Sequence, residues 1–238
     1  IISFISLHDV ISIEPTKLDN HKISFYGEFS KTIGKNNSIY KLLKLLDDKN
    51  LLNNQKFRIR IKKKIPLQAG LGGGSMNAAS ILRYLIKKKF VNLNYKEIKK
   101  ICKSIGSDVI IGINPSSMIL TSNNQLSLFS NIKKVYVLIV KPNFGCSTKK
   151  IYSQVKTCRK PQLNNPTKKM FNFDFLKRLD NKLEEIVLSR YSHLSSIKLY
   201  LENLSKNELV RMTGSGSALV VYFKSKKACD NAMRQFKR

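Results

Sequence analysis

The sequence predicts an α+β fold in two halves, and three observations carry that prediction. Segments of period-two alternation and segments of helical spacing both occur, they follow no strict βαβ alternation, and neither an internal repeat nor a low-complexity tract breaks them up. With 238 residues, 42% of them hydrophobic, the chain can fill one large core or two moderate ones. No apolar run approaches the roughly 18 residues that a membrane helix needs, so none is expected.

The elements follow in order. "IISFISLHDVISIEP" at the start reads as a strand; it carries His8, Asp9 and Glu14 and lacks the basic region and cleavage site of a signal peptide. It also lacks an initiator Met, so the chain is expected to be a fragment of a longer protein. "HKISFYGEFS" is a second strand with clear alternation. "SIYKLLKLLDDKNLL" has helical spacing and follows Asn36 and Asn37, either of which can cap a helix. "KFRIRIKKKIP" sets Phe57, Ile59 and Ile61 against Arg58, Arg60 and Lys62, a half-buried strand closed by Pro66. A glycine-rich loop and the helix "SMNAASILRYLIKKKF" come next, then the helix "YKEIKKICKSIG", which stops at Gly106. "SDVIIGI" is a short apolar run, and further strands are expected to about residue 130. A new unit starts at the apolar strand "KVYVLIVKP", which places the domains at 1–133 and 134–238. Beyond the polar connection 160–170, "FDFLKRLDNKLEEIVLSRY" reads as one amphipathic helix and 194–204 as a shorter one. The chain closes with strand "ELVRMTG", a loop, strand "SALVVYF" and helix "KKACDNAMRQFKR".

The balance of 44 Lys+Arg against 15 Asp+Glu gives a net charge of +29. Such an excess can mark a nucleic-acid partner. Here the lysines are scattered through nearly every segment and accompany abundant Ile and Asn, a trio with A/T-rich codons. Genomic base composition, with attraction to small anions, therefore ranks above nucleic-acid binding. The four cysteines, Cys102, Cys146, Cys158 and Cys229, form no CxxC pair and no metal-ligand spacing. They read as isolated thiols of a reducing, cytoplasmic compartment.

"GLGGGSMNAA", residues 70–79, gathers four of the chain's 11 glycines into five positions. Glycine inside an ordinary element costs stability, so such a cluster marks backbone that must be closely approached or must take a positive φ. It could be a flexible turn between strand and helix. A dinucleotide fingerprint is disfavoured, since no acidic residue follows at the end of a second strand. It could equally be an anion cradle, in which free N–H groups at a helix start meet phosphate. The ATPase P-loop is excluded in its usual form because no Lys-Ser/Thr follows the glycines. Ser75 stands at the junction, where its hydroxyl can cap the helix or reach a magnesium-bound phosphate, and Ala78 and Ala79 keep the first turns slim.

"PLQAGLGGGS", Pro66 to Ser75, resembles the central phosphate-binding motif of the GHMP kinases, the superfamily of galactokinase, homoserine kinase and mevalonate kinase. Within it, the sequence is similar to the family acting on 4-diphosphocytidyl-2-C-methyl-D-erythritol, whose loop typically reads GLGGGSS, then Asp or Asn, then Ala-Ala. Met76 replaces the second Ser, and Asn77 is a tolerated residue. "GSDV", Gly106 to Val109, resembles the family's Gly-Ala-Asp-Val segment, and "TGSGS", Thr213 to Ser217, its C-terminal glycine motif. The resemblance implies an N-terminal ribosomal-protein-S5-like domain and a C-terminal ferredoxin-like α+β domain, with catalysis in the cleft between them. The implied reaction is ATP-dependent phosphorylation of the substrate's 2-hydroxyl, a step of the non-mevalonate isoprenoid route.

By the same resemblance Asp108 is the catalytic base; the residues alone would equally allow a turn or helix-cap Asp. Pro66, Gly70, Leu71, Gly72, Gly73, Gly74, Ser75 and Asn77 would hold the nucleotide phosphates, and Asn37 and Lys63 would lie toward adenine and ribose. Asn37 could instead be only a cap, and Lys63 one of three consecutive lysines. Thr148 and Tyr152, after the Pro142–Gly145 turn, fall in the region that contacts cytidine, with the Tyr152 ring stacked on cytosine or merely half-buried in a helix. Gly214, Ser215 and Gly216 would face the diphosphate, although a type I′ or II′ hairpin turn accounts for the same glycines. His8, His21 and His193 fall in no motif and read as surface or structural.

The expected ligands are ATP, Mg²⁺ and a cytidine diphosphate substrate, in a monomer or homodimer with no membrane or nucleic-acid partner and no protein metal site. The family's Lys-x-Asn and Asp-Gly-Tyr-His segments should precede Ile1, and a last strand should follow Arg238. Two other functions remain open from the residues: a GHMP kinase of homoserine or mevalonate type, or a basic nucleic-acid-binding protein on an S5-like fold.

Overall fold

A computed structural model describes residues 1–123, 125–157 and 160–236. Cys158, and Lys237 and Arg238 of the stretch that the sequence reads as a closing helix, lie outside the described residues. The chain forms two compact units. One comprises Ile5–Leu67 and Gly72–Pro115; the other comprises Ile1–Phe4, Gln68–Leu71 and Ser116–Arg238.

In the first of these, β1 (Val10–Thr16), β2 (Lys22–Tyr26) and β3 (Lys56–Lys62) form a sheet in the order β1-β3-β2. β1 runs antiparallel to β3 from Val10↔Lys62 to Thr16↔Lys56, and β2 runs parallel to it from Lys22↔Arg58 to Tyr26↔Lys62. The direction of the β2–β3 pair is left open by the alternation of the two strands. The parallel pairing arises because α1 (Ser38–Asp48) lies between β2 and β3 and returns the chain in the same direction. The alternation of β3 is realised as read: Phe57, Ile59 and Ile61 are fully buried, while Arg58, Arg60 and Lys62 are exposed.

Three helices close over the buried face. α1 contributes Ile39, Leu42, Leu43 and Leu46; α2 (Gly73–Lys87) contributes Ala78, Ala79, Ile81, Leu82 and Leu85; α3 (Tyr95–Ile105) contributes Ile101, Cys102 and Ile105. These i, i+3, i+4 sets join the strand residues in one core. Burying each large side chain contributes about 1.5–3 kcal/mol, which fixes α2 against the sheet. α3 is closed by a reciprocal cap between Asn94 and Glu97. The apolar run after Gly106 forms a short 3-10 helix, Val109–Gly112.

The other unit holds the hairpin β4 (Ser117–Leu120) and β5 (Leu126–Phe129), with Ile2 bridged to Met118. Its main sheet is antiparallel, β6 (Tyr136–Val140), β8 (Leu219–Phe223) and β7 (Leu209–Met212) in that spatial order. Among the described residues five α-helices accompany it: α4 (Thr148–Tyr152), α5 (Phe173–Arg178), α6 (Lys182–Arg190), α7 (Ser192–Glu202) and α8 (Lys226–Phe236). Val187, Leu194, Leu201, Leu219, Val221 and Phe223 lie at the centre of its core.

The single helix read over 173–191 is two helices. Leu179 is extended, and Asn181 starts α6 afresh by accepting from the Leu183 amide at 3.1 Å. The same side chain donates to the carbonyls of Met212 at 3.0 Å and Gly214 at 2.8 Å, which no local pattern announces. Among the described residues no helix is long and apolar enough to cross a membrane.

Candidate phosphate-binding and catalytic site

The four clustered glycines have different surroundings. Gly70, at φ +72°, is locked against the second glycine loop: a β-carbon there would lie 2.0 Å from the Thr213 carbonyl oxygen and 2.9 Å from the Gly216 nitrogen. Gly72, at φ +67°, is the residue before α2, and a β-carbon on it would meet nothing within 4 Å. Gly73 rests on the Ile65 side chain, whose Cγ2 would lie 3.0 Å from an added β-carbon. Gly74 is open except toward the Ser38 hydroxyl, 3.9 Å from such an atom. Gly70 is thus required by packing. Gly72 and Gly74 leave the backbone bare.

That bareness has a chemical consequence. α1, α3, α4, α5 and α6 start on Asn37, Asn94, Ser147, Asn172 and Asn181, each accepting from its own helix's amides. α2 starts on Gly72, which makes no side-chain cap; the first hydrogen bond within its turn runs from Met76 N–H to the Gly72 carbonyl at 3.0 Å. The leading amides of Gly73, Gly74 and Ser75 have no partner inside the helix, and the positive end of the helix dipole adds to them. With no acidic residue in its first turn, α2 has no charge of its own to neutralise that end, an arrangement able to receive an external anion. Because Ser38 adjoins Gly74, the α1 N-terminus stands beside it.

Asp108 immediately precedes the 3-10 helix. It is exposed and caps nothing there; its carboxylate accepts from the Ser107 hydroxyl at 3.1 Å. The 3-10 helix is pressed on the start of α2: a β-carbon on Gly112 would lie 2.6 Å from Ala79 Cβ and 3.0 Å from Met76 Sδ. Met76 therefore fills the space over Gly112. These contacts join the segment carrying Asp108 to the helix carrying the bare amides.

Asn37 and Lys63 have prior engagements. The Asn37 carboxamide accepts from the amides of Ile39 at 3.0 Å and Tyr40 at 3.2 Å and donates to the Gly34 carbonyl at 2.7 Å. Lys63 is 3% exposed, and its ammonium is paired with Asp9. Asn77, buried in α2, donates to the same carboxylate at 2.8 Å. Pro66 and Leu71 are half-buried on either side of the loop. Asp9 was missed by sequence reasoning, which noted it only as one polar residue of the first segment. The one local signal is an acid placed just ahead of an alternating strand.

In the other unit, Thr148 and Ser215 meet hydroxyl to hydroxyl at 2.8 Å. The Thr213–Ala218 connection is longer than a two-residue hairpin turn. It is fastened by Gly216 N–H to Thr213 O at 2.9 Å and Thr213 N–H to Ala218 O at 3.0 Å. The Gly216 amide is thereby engaged in the loop itself. Ser217, fully buried, donates to the Phe144 carbonyl at 2.7 Å. Tyr152, at the end of α4, is 59% exposed rather than half-buried, which leaves its ring face open.

The remaining candidates have structural surroundings. His21 stacks on Phe57 and takes the Phe57 amide at Nδ1, 3.0 Å away, and burial holds its pKa below the usual histidine value. His8 and His193 are exposed. Cys102, Cys146 and Cys229 are free thiols, and burial pushes Cys102 up to about 11. Among the described residues no group of three or more His, Cys, Asp or Glu side chains could hold a metal ion.

Comparison with known proteins places this geometry. Residues 37–118, from the α1 cap to the strand after the 3-10 helix, match the model of the GHMP kinases N terminal domain. The 4-diphosphocytidyl-2-C-methyl-D-erythritol kinase of Pelagibacter ubique is 54% identical over 238 residues, all of this chain and 85% of that protein. The enzyme of that name from Clostridium tetani is 34% identical over 212 residues, 84% of this chain and 74% of that protein. A crystal structure of 4-(cytidine 5'-diphospho)-2C-methyl-D-erythritol kinase superposes with TM-score 0.74 at 22% identity, covering 98% of this chain and 83% of that one, a likeness of fold.

Proposed function

The chain belongs to the 4-diphosphocytidyl-2-C-methyl-D-erythritol kinase family, and from that premise we propose that it transfers the γ-phosphoryl group of ATP to the 2-hydroxyl of 4-diphosphocytidyl-2-C-methyl-D-erythritol, a step of non-mevalonate isoprenoid synthesis. The observation that supports this best is the uncapped start of α2, with Gly72 open to solvent and Asp108 on a segment packed against Met76 and Ala79.

The chemistry asked of the protein is positioning and charge stabilisation. The amides of Gly73, Gly74 and Ser75 take the β- and γ-phosphates, and the helix dipole opposes the charge that gathers on them. Asp108 accepts the proton of the attacking hydroxyl. As that O–H breaks, an O–P bond forms to the γ-phosphorus, the bond to the β-bridging oxygen breaks, and ADP leaves. Asp108 suits the role because its carboxylate is exposed and holds no helix together. Asn37 and Lys63 shape the adenine and ribose side through the backbone they fix, since their polar groups are engaged internally.

Mg²⁺ enters this reading with the nucleotide phosphates as a co-substrate ion, with Ser75 the side chain placed to meet it at the start of α2. When bound there it would supply charge neutralisation to the transferred group. Thr148, Tyr152 and the Gly214–Gly216 loop form the cytidine side, with the exposed Tyr152 ring available for stacking. A monomer or homodimer in the cytoplasm completes the proposal.

The test is a panel of acceptors with Mg-ATP: 4-diphosphocytidyl-2-C-methyl-D-erythritol, homoserine and mevalonate, with the product read by ³¹P NMR. The expected result is a new phosphomonoester on the first acceptor alone. Turnover of homoserine or mevalonate in its place would transfer the chain's activity to another branch of the superfamily.

A further inference from the structure

Asp9 lies just before β1, and its side chain is wholly shielded from solvent. Oδ2 receives the Lys63 ammonium and, at 2.8 Å, the Asn77 amide; Oδ1 receives the backbone N–H groups of Lys64 at 2.7 Å and Ile65 at 2.9 Å. One carboxylate thus binds three separate stretches of chain: the lead-in to β1, the exit from β3, and the early turns of α2. Burial by itself would raise its pKa, but Lys63, the two backbone amides and Asn77 outweigh that and hold it below the ordinary carboxyl value. It is therefore ionised at neutral pH.

The contacts continue toward the bare amides. Ile65, whose N–H is held by Asp9, is the residue on whose side chain Gly73 rests, with Cγ2 3.0 Å and Cβ 3.3 Å from where a glycine β-carbon would stand. Asn77, whose amide is held by Asp9, lies in the second turn of the helix that Gly73 begins. The carboxylate therefore grips the leading end of α2 from both sides, through the residue beneath its first turn and through a residue within it. Lys63 fits the same picture: at 3% exposure, with its ammonium on Asp9, it serves as the counter-charge of this clamp and not as a cation offered to solvent.

We infer that Asp9 is a positioning residue for phosphate binding: by clamping Ile65 and Asn77 it fixes where the amides of Gly73 to Ser75 stand, and so sets nucleotide affinity without touching nucleotide. This rests on the nucleotide reading of the α2 start given above. Hydrogen-bonded groups of this kind act on a site through the precision of what they hold, so loss should appear in ATP binding before it appears elsewhere.

The experiment compares the wild-type full chain, Asp9→Asn and Leu46→Ala, the last a core truncation in α1 that lowers stability without touching the clamp. Melting temperature, ATP dissociation constant by calorimetry, and KM for ATP and for the cytidine substrate are measured for each. Asp9→Asn turns an acceptor into a donor opposite Asn77 and leaves Lys63 without its counter-charge. The expected result is an ATP dissociation constant and KM raised tenfold or more, with KM for the cytidine substrate within twofold of wild type, and ATP binding by Leu46→Ala within twofold at a comparable loss of melting temperature. Should Asp9→Asn not fold, Asp9→Asn/Lys63→Met removes the stranded buried charge and carries the same expectation. ATP binding by a folded Asp9 variant within twofold of wild type overturns the inference, as does failure of both variants to fold while Leu46→Ala folds, because Asp9 would then serve the fold alone. A wild-type chain that binds no ATP overturns the nucleotide reading itself, which keeps the two failures apart.

Discussion

Gly70 and Thr213, 143 residues apart in sequence, are in backbone contact: the Thr213 hydroxyl donates to the Gly70 carbonyl at 3.1 Å, and a β-carbon on Gly70 would lie 2.0 Å from the Thr213 carbonyl oxygen. Neighbouring bonds reinforce the joint, from Ser217 N–H to Gln68 O at 3.1 Å and from Ala218 N–H to Ala69 O at 3.2 Å. Gly70→Ala must push backbone against backbone at a positive φ. The expected cost is at least about 3 kcal/mol, read as a fall in melting temperature of about 10 °C. A melting temperature within about 2 °C of wild type would show that this joint gives way easily.

Gly72→Val separates packing from ligand approach, because space is open around Gly72. The positive φ disfavours a branched residue by about 1–2 kcal/mol, so the fold should survive. Nucleotide affinity should fall by more than about tenfold, since the added methyls would occupy open space beside the start of α2 that an approaching phosphate needs. Calorimetry decides it, and unchanged affinity would argue that phosphate binds elsewhere.

Asp108→Asn keeps the shape and removes the base. Since the carboxylate is exposed and contacts only its neighbour Ser107 among the hydrogen bonds described, melting temperature should not move. kcat should drop by about 10²–10⁴-fold while ATP affinity stays within about twofold. Near-normal turnover would remove Asp108 from the proton-transfer role.

Tyr152→Ala tests the cytidine side. The ring is 59% exposed, so its loss should leave stability unchanged. If it stacks on the base, KM for the cytidine substrate rises by the equivalent of about 1–3 kcal/mol, with KM for ATP unmoved. An unchanged KM assigns cytosine recognition to other groups.

The clamp also predicts a pH dependence. The Asp9 carboxyl titrates below its ordinary 3.8 in the folded state, so the unfolded chain takes up its proton first as pH falls. Its contribution to stability is therefore complete above pH 3.8 and is lost as pH drops through the lowered folded value. Between about pH 5 and about pH 3, the wild-type melting temperature should fall more steeply than that of Asp9→Asn, which has no proton to gain there. Parallel slopes would mean that other carboxyls govern the acid limb.

What the sequence could show, and what it could not, divides by range. The strand alternation Phe57-Ile59-Ile61, the cap at Asn37 and the glycine signal before α2 depend on residues within one or two turns of each other, and each is visible in a short window. The motif order from Pro66 through Asp108 to Thr213 made the family legible as well. Contacts spanning the chain were not legible. Asp9 bonds to Lys63 and Asn77, 54 and 68 positions away, and Gly70 owes its identity to Thr213. The break at Asn181 escaped because the helical periodicity of 173–191 continues across it, and its amide is held by carbonyls beyond residue 210. The parallel pairing of β2 with β3 depends on the path taken by α1, which alternation cannot reveal.

The most direct test of the account is a crystal structure of the protein with a non-hydrolysable ATP analogue and Mg²⁺. The account predicts β- and γ-phosphate oxygens within hydrogen-bonding distance, about 2.7–3.2 Å, of the Gly73, Gly74 and Ser75 amides, with the Asp108 carboxylate facing the γ-phosphorus. A triphosphate seated away from the start of α2, or a γ-phosphate turned away from Asp108, would contradict it.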